Sequence, residues 1–225
     1  MESLDSIMQQ ATSALGNMDY LTCEADCLRA LAAAQATEDW AYYCRILMPL
    51  QEARRQRRLI AAEGMIRLGT SDLEGPITSW LGRIESGCIV VTHPFTASDV
   101  VRLQRKARSE RRYIEVLYAD NPAPAGRWTL RSFAGPDARY ATDAPADVWI
   151  DRWLTATDTG PQPSDWFIDA TEAIGNVALS QVDADLGTPQ RLAALEERFA
   201  VATDHEFLHQ RLWDAADAMC TAKGR

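Results

Sequence analysis

The chain has 225 residues, of which 47% are hydrophobic and 24% are charged. This composition is that of an ordinary soluble globular protein, and it excludes disordered, collagen-like and disulfide-scaffold classes. No apolar run approaches the ~18 residues that a membrane-spanning helix needs. The acidic start at residues 1–5 is also unlike a secretory signal, so we expect a cytoplasmic protein. Arginine outnumbers lysine 21 to 2, which is typical of a GC-rich, bacterial source.

The net charge of −9 is divided unevenly along the sequence. Residues 1–44 carry seven acids and one base, residues 45–112 carry seven acids and thirteen bases, and residues 113–225 carry eighteen acids and nine bases. Because most of the chain is acidic, we do not expect nucleic acid as a partner. We interpret the two arginine-rich clusters, at 54–58 and 102–112, as solvated helix faces.

Five cysteines without an export signal indicate reduced thiols rather than a disulfide framework. Cys23 and Cys27 share one helix face, and Cys44 lies on the next predicted helix. A three-thiol metal site is one interpretation of this trio. We prefer the other, in which the thiols are small core residues.

The first quarter of the sequence predicts three helices, at about 4–15, 20–34 and 38–63, the last with a kink near Pro49. The connection between the second and third helices is short, so the two should be antiparallel. With Trp40, Tyr43 and Leu47 at spacings of three and four, residues 18–63 resemble a tetratricopeptide-type helical hairpin. That resemblance implies a protein-binding surface. A plain helical bundle would explain the same residues.

The middle of the sequence changes to strand-like patterns. The pattern at residues 66–68 predicts either a short strand or the end of a helix. The apolar run at 88–91, which follows Gly87, predicts a strand. A helix from about Thr96 to Arg112 and a strand at 113–118 follow, which predicts a parallel crossover unit. Turns are predicted at Gly75-Pro76 and in the loop 121–126, and an edge strand at 128–133.

A long connection rich in Pro, Asp, Thr and Gly is predicted at 143–163. Three further helices follow it, at about 165–181, 189–201 and 204–222, with Pro189 at the first position of the second. The predicted fold class is therefore α+β and mostly helical. We divide it into a helical hairpin region at 1–64, a small α/β region at 65–140, and a connecting segment with C-terminal helices at 141–225. The last region is expected to pack either separately or as one domain with the middle.

The string His205-Glu206-Phe207-Leu208-His209 resembles the H-E-x-x-H motif of zincin metalloproteases. In that motif, histidines at i and i+4 on one helix face hold zinc, and the glutamate activates the metal-bound water. The resemblance thus implies His205 and His209 as metal ligands and Glu206 as a catalytic base. However, Leu212 and Ala215 occupy the positions at which one zincin class has glycine and a third histidine. We therefore prefer hydrogen-bonded histidines that face the body of the protein.

A third ligand for that zinc would have to come from upstream of the motif. The only plausible donors are four residues: His93, Glu172, Glu196 and Glu197.

A second candidate site lies at the carboxyl ends of the predicted parallel strands. Ligands bind beyond such ends in open parallel sheets, and here they supply His93, Thr96 and Asp120. Helix-start amides near Thr96 suit a phosphate or carboxylate, and His93 with Asp120 suits acid–base chemistry. The competing interpretation is an ordinary loop with capping and turn residues.

No complete catalytic set is present, so the sequence favours a non-catalytic protein-interaction or scaffold module whose partner is another protein. No cofactor is expected in that case. The alternatives are a zinc-dependent hydrolase at 205–209 and a small α/β domain that binds an anionic ligand.

Overall fold

The structure, a computed structural model, describes residues 2–69, 81–82, 84–123, 127–133, 147–153 and 164–223. Within these ranges the chain forms seven helices and five strands, so the predicted α+β, mostly helical fold is confirmed. The helices are α1 (Leu4–Gly16), α2 (Tyr20–Ala36), α3 (Trp40–Glu63), α4 (Ala97–Ser109), α5 (Ser164–Ser180), α6 (Thr188–Val201) and α7 (Glu206–Lys223). The strands are β1 (Met65–Gly69), β2 (Ser86–Thr92), β3 (Tyr113–Ala123), β4 (Arg127–Phe133) and β5 (Asp147–Trp153).

The chain divides into two compact units that interleave in sequence. Unit 1 comprises residues 1–57, 182–199 and 203–225, and unit 2 comprises residues 58–181 and 200–202. This division differs from the three sequence segments predicted above, because α6 and α7 group with the first three helices. Unit 1 is helical, whereas unit 2 contains the sheet with α4 and α5.

The two turns that connect the first three helices are built alike. Each has a residue with positive φ in the middle, Met18 at 59° and Glu38 at 52°. The next residue, Asp19 or Asp39, donates its N–H to a carbonyl five residues earlier, at 2.9 and 2.8 Å. Each aspartate side chain then accepts from the N–H three residues later, at 3.2 and 3.0 Å. Every turn thus closes one helix and starts the next, as Schellman and N-cap motifs do.

Helix α3 runs unbroken through Pro49. Proline has no N–H to donate within a helix. The carbonyl of Pro49 accepts a hydrogen bond from the Cys23 thiol of α2, at 3.8 Å. The predicted antiparallel connection between α2 and α3 is therefore accompanied by side-chain contact well inside both helices.

The sheet has the strand order β1-β2-β3-β4-β5. The first three strands are parallel, and β4 and β5 are antiparallel additions. The parallel pairing of β2 with β3 across α4 confirms the predicted crossover unit. All of β2 beyond Ser86 is buried, as expected of a strand covered on both faces.

Two expectations for the sheet are wrong. The strand predicted at the sheet edge, observed as β4 (Arg127–Phe133), lies between β3 and β5. The segment 147–153, predicted as part of a connection, forms β5 and pairs residue by residue with β4. The reason is that strand formation here depends on pairing with distant residues, which local composition does not report. The predicted turn at Gly75-Pro76 and the loop end at 124–126 lie outside the described residues.

One face of the parallel sheet packs against α4. Buried side chains from the sheet, from α4 and from the segment before β2 form a single apolar cluster: Leu81, Ile84, Ile89, Val91, Val100, Leu103, Ala107, Ile114 and Val116. The contacts fix α4 along β2 and β3, so that its first residues follow closely on the carboxyl end of β2. The opposite side of α4 is exposed and carries several of the basic residues of the 102–112 cluster.

No helix in the described ranges has the length and apolar character required to cross a bilayer.

Gly64 joins α3 to β1 and lies against the backbone of Ser86. A Cβ at position 64 would approach the Ser86 carbonyl and lie 2.6 Å from its Oγ. We expect Gly64→Ala to lower the free energy of unfolding by roughly 1–3 kcal/mol, since the backbone must shift to admit one methyl group. Urea denaturation followed by circular dichroism measures this change.

The matched control is Gly16→Ala, where the added Cβ meets nothing within 4 Å. Alanine is the better helix former, so we expect unchanged stability or a gain of up to about 1 kcal/mol. Equal effects of the two substitutions would contradict the close approach at Gly64.

Candidate functional site

The two histidines of the H-E-x-x-H string are buried. His205 is 1% exposed and His209 is 2% exposed, which confirms that both face the protein interior. His205 precedes α7, and its carbonyl accepts the backbone N–H of His209 at 3.2 Å. Glu206, in contrast, is exposed and accepts a hydrogen bond from Gln210 at 3.4 Å.

The imidazole of His209 is held by the turn that precedes α7. Its Nε2 lies 3.0 Å from the carbonyl oxygen of Thr203, and its ring meets the ring of Phe199 edge-on at 4.4 Å. Burial and then the nearby positive charge of Arg54 lower the pKa of His209 to about 3. The ring is therefore neutral near pH 7, and its proton must sit on Nε2, because a carbonyl only accepts. Its Nδ1 makes no hydrogen bond to any described residue.

An ionic cluster lies beside His209, at the contact of α2, α3 and the turn before α7. Glu24 of α2 is 1% exposed and accepts from two arginines of α3. The Nε of Arg54 lies 2.9 Å from one carboxylate oxygen, and Nη1 of Arg57 bonds the other. Both arginines are 3% exposed, so this part of the predicted solvated cluster is in fact core. The expectation was wrong because Arg54 and Arg57 continue the buried stripe of α3.

The same two arginines also bind Thr203. Arg54 donates from Nη1 to the Thr203 carbonyl at 3.0 Å, and Arg57 donates from Nη2 to its hydroxyl at 3.2 Å. The guanidinium of Arg54 lies over the Phe199 ring, 4.4 Å from its centroid. Two positive charges thus face one carboxylate, one carbonyl, one hydroxyl and one ring. Every partner is one that a guanidinium favours, which is how a buried charge is tolerated.

A second buried polar contact joins α6 to the N-terminal helices. Glu196 of α6 is 8% exposed. It accepts from the Tyr43 hydroxyl at 2.7 Å and from the Gln35 amide at 2.9 Å. Glu196 was one of the candidate upstream zinc ligands, and here it binds hydrogen-bond donors of α2 and α3. Another candidate, Glu172, pairs with Arg58 at 2.5 Å.

Across the described ranges, no group of three or more His, Cys, Asp or Glu side chains is close enough to hold one metal ion. Cys23, Cys27 and Cys44 are buried free thiols. The neighbouring Cys23 thiol and burial together raise the pKa of the Cys27 thiol far above its usual value. The zinc hypothesis at 205–209 remains a prediction.

The carboxyl edge of the parallel strands shows a capped helix start. Asp99 accepts from both the backbone N–H and the hydroxyl of Thr96, each at 2.8 Å. The backbone bond to Thr96 is the main reason that the pKa of Asp99 is lowered. The carboxylate of Asp99 thus binds the backbone N–H of Thr96, at the helix start where an anionic ligand was predicted. His93 is exposed, and the side chain of Asp120 lies outside the described residues.

The outer face of α7 is a feature that sequence reasoning missed. Phe207 is 57% exposed and Trp213 is 43% exposed. Successive residues of a helix are rotated by 100° about its axis, so Trp213 and Phe207 project about 120° apart from α7. Three exposed acidic residues project between them: Glu206, Asp217 and Asp214. We call these five residues the α7 outer face. The sequence does contain a signal for this exposed face. At helical spacing, both aromatic residues fall on the side of α7 away from the buried Leu208 and Leu212.

Comparison of the chain with protein-family models, with curated protein sequences and with solved structures finds no match.

Removing the negative charge of Glu24 should destabilise the folded protein. Glu24→Gln leaves Arg54 and Arg57 buried without a counter-charge, so we expect the free energy of unfolding to fall by about 3–5 kcal/mol. Equilibrium urea denaturation measures the change. Glu52→Gln is the matched control, because Glu52 is 42% exposed in its pair with Arg55 and should contribute less than about 1 kcal/mol. Similar losses for the two variants would contradict a buried ionic cluster.

His209 should make the protein less stable in acid. Its pKa is about 3 in the folded chain and 6.5 ordinarily, so between these values only the unfolded chain binds the proton. This contribution to stability is complete above pH 6.5 and is lost as the pH falls, by about 1.4 kcal/mol between roughly pH 7.5 and pH 5.5.

The control variant is His209→Gln. Its side-chain amide can still donate a hydrogen bond to the Thr203 carbonyl, but it does not titrate. Denaturation at a series of pH values should show a steeper acid loss for the native chain than for the variant. Parallel pH profiles would exclude a neutral buried His209.

Proposed function

We propose that this chain is a non-catalytic protein-interaction module that binds its partner through the α7 outer face. The observation that carries the proposal is the exposure of Trp213 and Phe207 on one helix. Large aromatic side chains are uncommon at fully solvated positions, and tryptophan is enriched among the residues that dominate binding energy at protein interfaces. Both rings stand beside carboxylates, which gives the surface polar as well as apolar contacts.

The placement of the reactive side chains supports the same conclusion. His205, His209, Cys23, Cys27 and Cys44 are buried, and His209 has a structural hydrogen bond. Glu206, the catalytic base implied by the H-E-x-x-H resemblance, lies on the exposed side of α7, away from the buried histidines. A helical unit that resembles a tetratricopeptide-type hairpin is also consistent with binding to a protein. No observation favours the zinc hydrolase or the anion-binding alternative, and both remain predictions.

Site-specific photo-crosslinking tests the proposal. Trp213→p-benzoylphenylalanine places a photoreactive ring on the α7 outer face in cells that produce the chain. We expect a discrete crosslinked species at about fivefold or higher yield over Ala25→p-benzoylphenylalanine, an exposed position of α2 in the same unit. Mass spectrometry of the crosslinked species identifies the partner.

The proposal fails if position 213 gives no species, or only the pattern that position 25 gives. Circular dichroism of both variants confirms that the helices are intact, so that a missing crosslink reports on the surface and not on folding.

A further inference from the structure

We propose that the partner of the α7 outer face is the exposed basic face of α4 in a second copy of this chain. This inference rests on the proposed function and specifies the partner. It follows from the charge and residue sizes of two helix faces.

The α7 outer face is acidic, and within the described part of the chain only one of its three carboxylates is paired with a basic side chain. Asp214 pairs with Arg211 at 3.6 Å, with both side chains more than half exposed. Glu206 and Asp217 form no ion pair with a described residue. Unit 1 as a whole carries sixteen acidic and ten basic residues, so its field adds to that of the three carboxylates. A cationic partner is therefore attracted to this face from a distance.

Helix α4 presents the opposite pattern. At 100° per residue its exposed side is a stripe of Ser98, Arg102, Arg105 and Ser109, with no carboxylate in the stripe. Arg102 has one exposed pair, with Asp99 at 3.4 Å. Arg105 has no partner among the described residues. The apolar side of α4 is fixed against the sheet by Val100, Leu103 and Ala107, so the stripe is held on a rigid element.

The two faces match in spacing and in shape. Arg102 and Arg105 are three residues apart, as are Asp214 and Asp217, so both pairs project at the same ~4.5 Å interval along a helix. The small serines of α4 leave room for the rings of Trp213 and Phe207. A guanidinium over an aromatic ring is an additional attraction, strongest for tryptophan.

Such a contact is heterologous, since different surfaces of the two copies meet. Two copies can satisfy both faces by exchanging the contact reciprocally, and otherwise the assembly is a larger closed ring or an open chain.

Sedimentation velocity of the full chain tests this proposal. We expect concentration-dependent self-association that weakens at least about tenfold when NaCl is raised from about 50 mM to about 500 mM. The doubly substituted Asp214→Lys/Asp217→Lys and Arg102→Glu/Arg105→Glu chains should each be monomeric. An equimolar mixture of these two variants should associate again, because each then offers the other a face of opposite charge.

Matched controls reverse the same number of charges at exposed positions elsewhere. These are Asp183→Lys/Asp185→Lys and Arg45→Glu/Arg55→Glu, which should associate as the native chain does. A native chain that is monomeric at low salt would overturn the proposal, and so would association that survives the α4 and α7 reversals or a mixture that stays monomeric. A crosslink from position 213 to a different protein would overturn this inference while supporting the proposed function.

Discussion

The carboxylate of Glu24 is the constraint on which the helical unit depends. It lies where α2, α3 and the turn before α7 meet, and it is the only negative charge that Arg54 and Arg57 contact in the bonds described above. Since both guanidinium groups also bind Thr203, the same interaction fixes the start of α7. The position of the start of α7 therefore depends on a salt bridge between α2 and α3.

The cluster also explains the burial of His209. The carbonyl oxygen of Thr203 accepts hydrogen bonds from both Arg54 and His209. The histidine is therefore buried as one of the two side chains that bind this carbonyl of the turn. The nearby arginine disfavours a second positive charge, and the ring stays neutral. The H-E-x-x-H string therefore contributes two interior histidines and one solvent-facing glutamate. The resemblance to a zinc motif rests on residue identity and spacing, which do not specify what each side chain contacts.

Much of the fold was predictable because its signals are local. The helix start at Thr96, the proline at position 189 and the apolar periodicity of the other segments gave the helices to within two or three residues at most ends. β5 was missed because Asp147–Trp153 lies in a stretch of turn-forming composition and becomes a strand only by pairing with β4.

The buried ion pairs were missed because charge normally indicates solvent exposure. A signal was present nonetheless: Leu47, Leu50, Arg54, Arg57 and Ala61 occupy one stripe of α3, and Glu24 precedes Cys27 and Leu31 on α2 by three and seven residues.

The interleaving of the two units has a consequence for synthesis of the chain. Arg54 and Thr203 are separated by 149 residues, so the partners of Arg54 and Arg57 in the last turn emerge from the ribosome long after the helices they complete. Closing so long a loop is slow, whereas all but three residues of the sheet unit come from one continuous stretch, 58–181, that is available earlier. Residues 1–57 therefore complete their contacts with Thr203 only after that distant segment has been synthesised. The sheet unit has nearly all of its residues before the helical unit does.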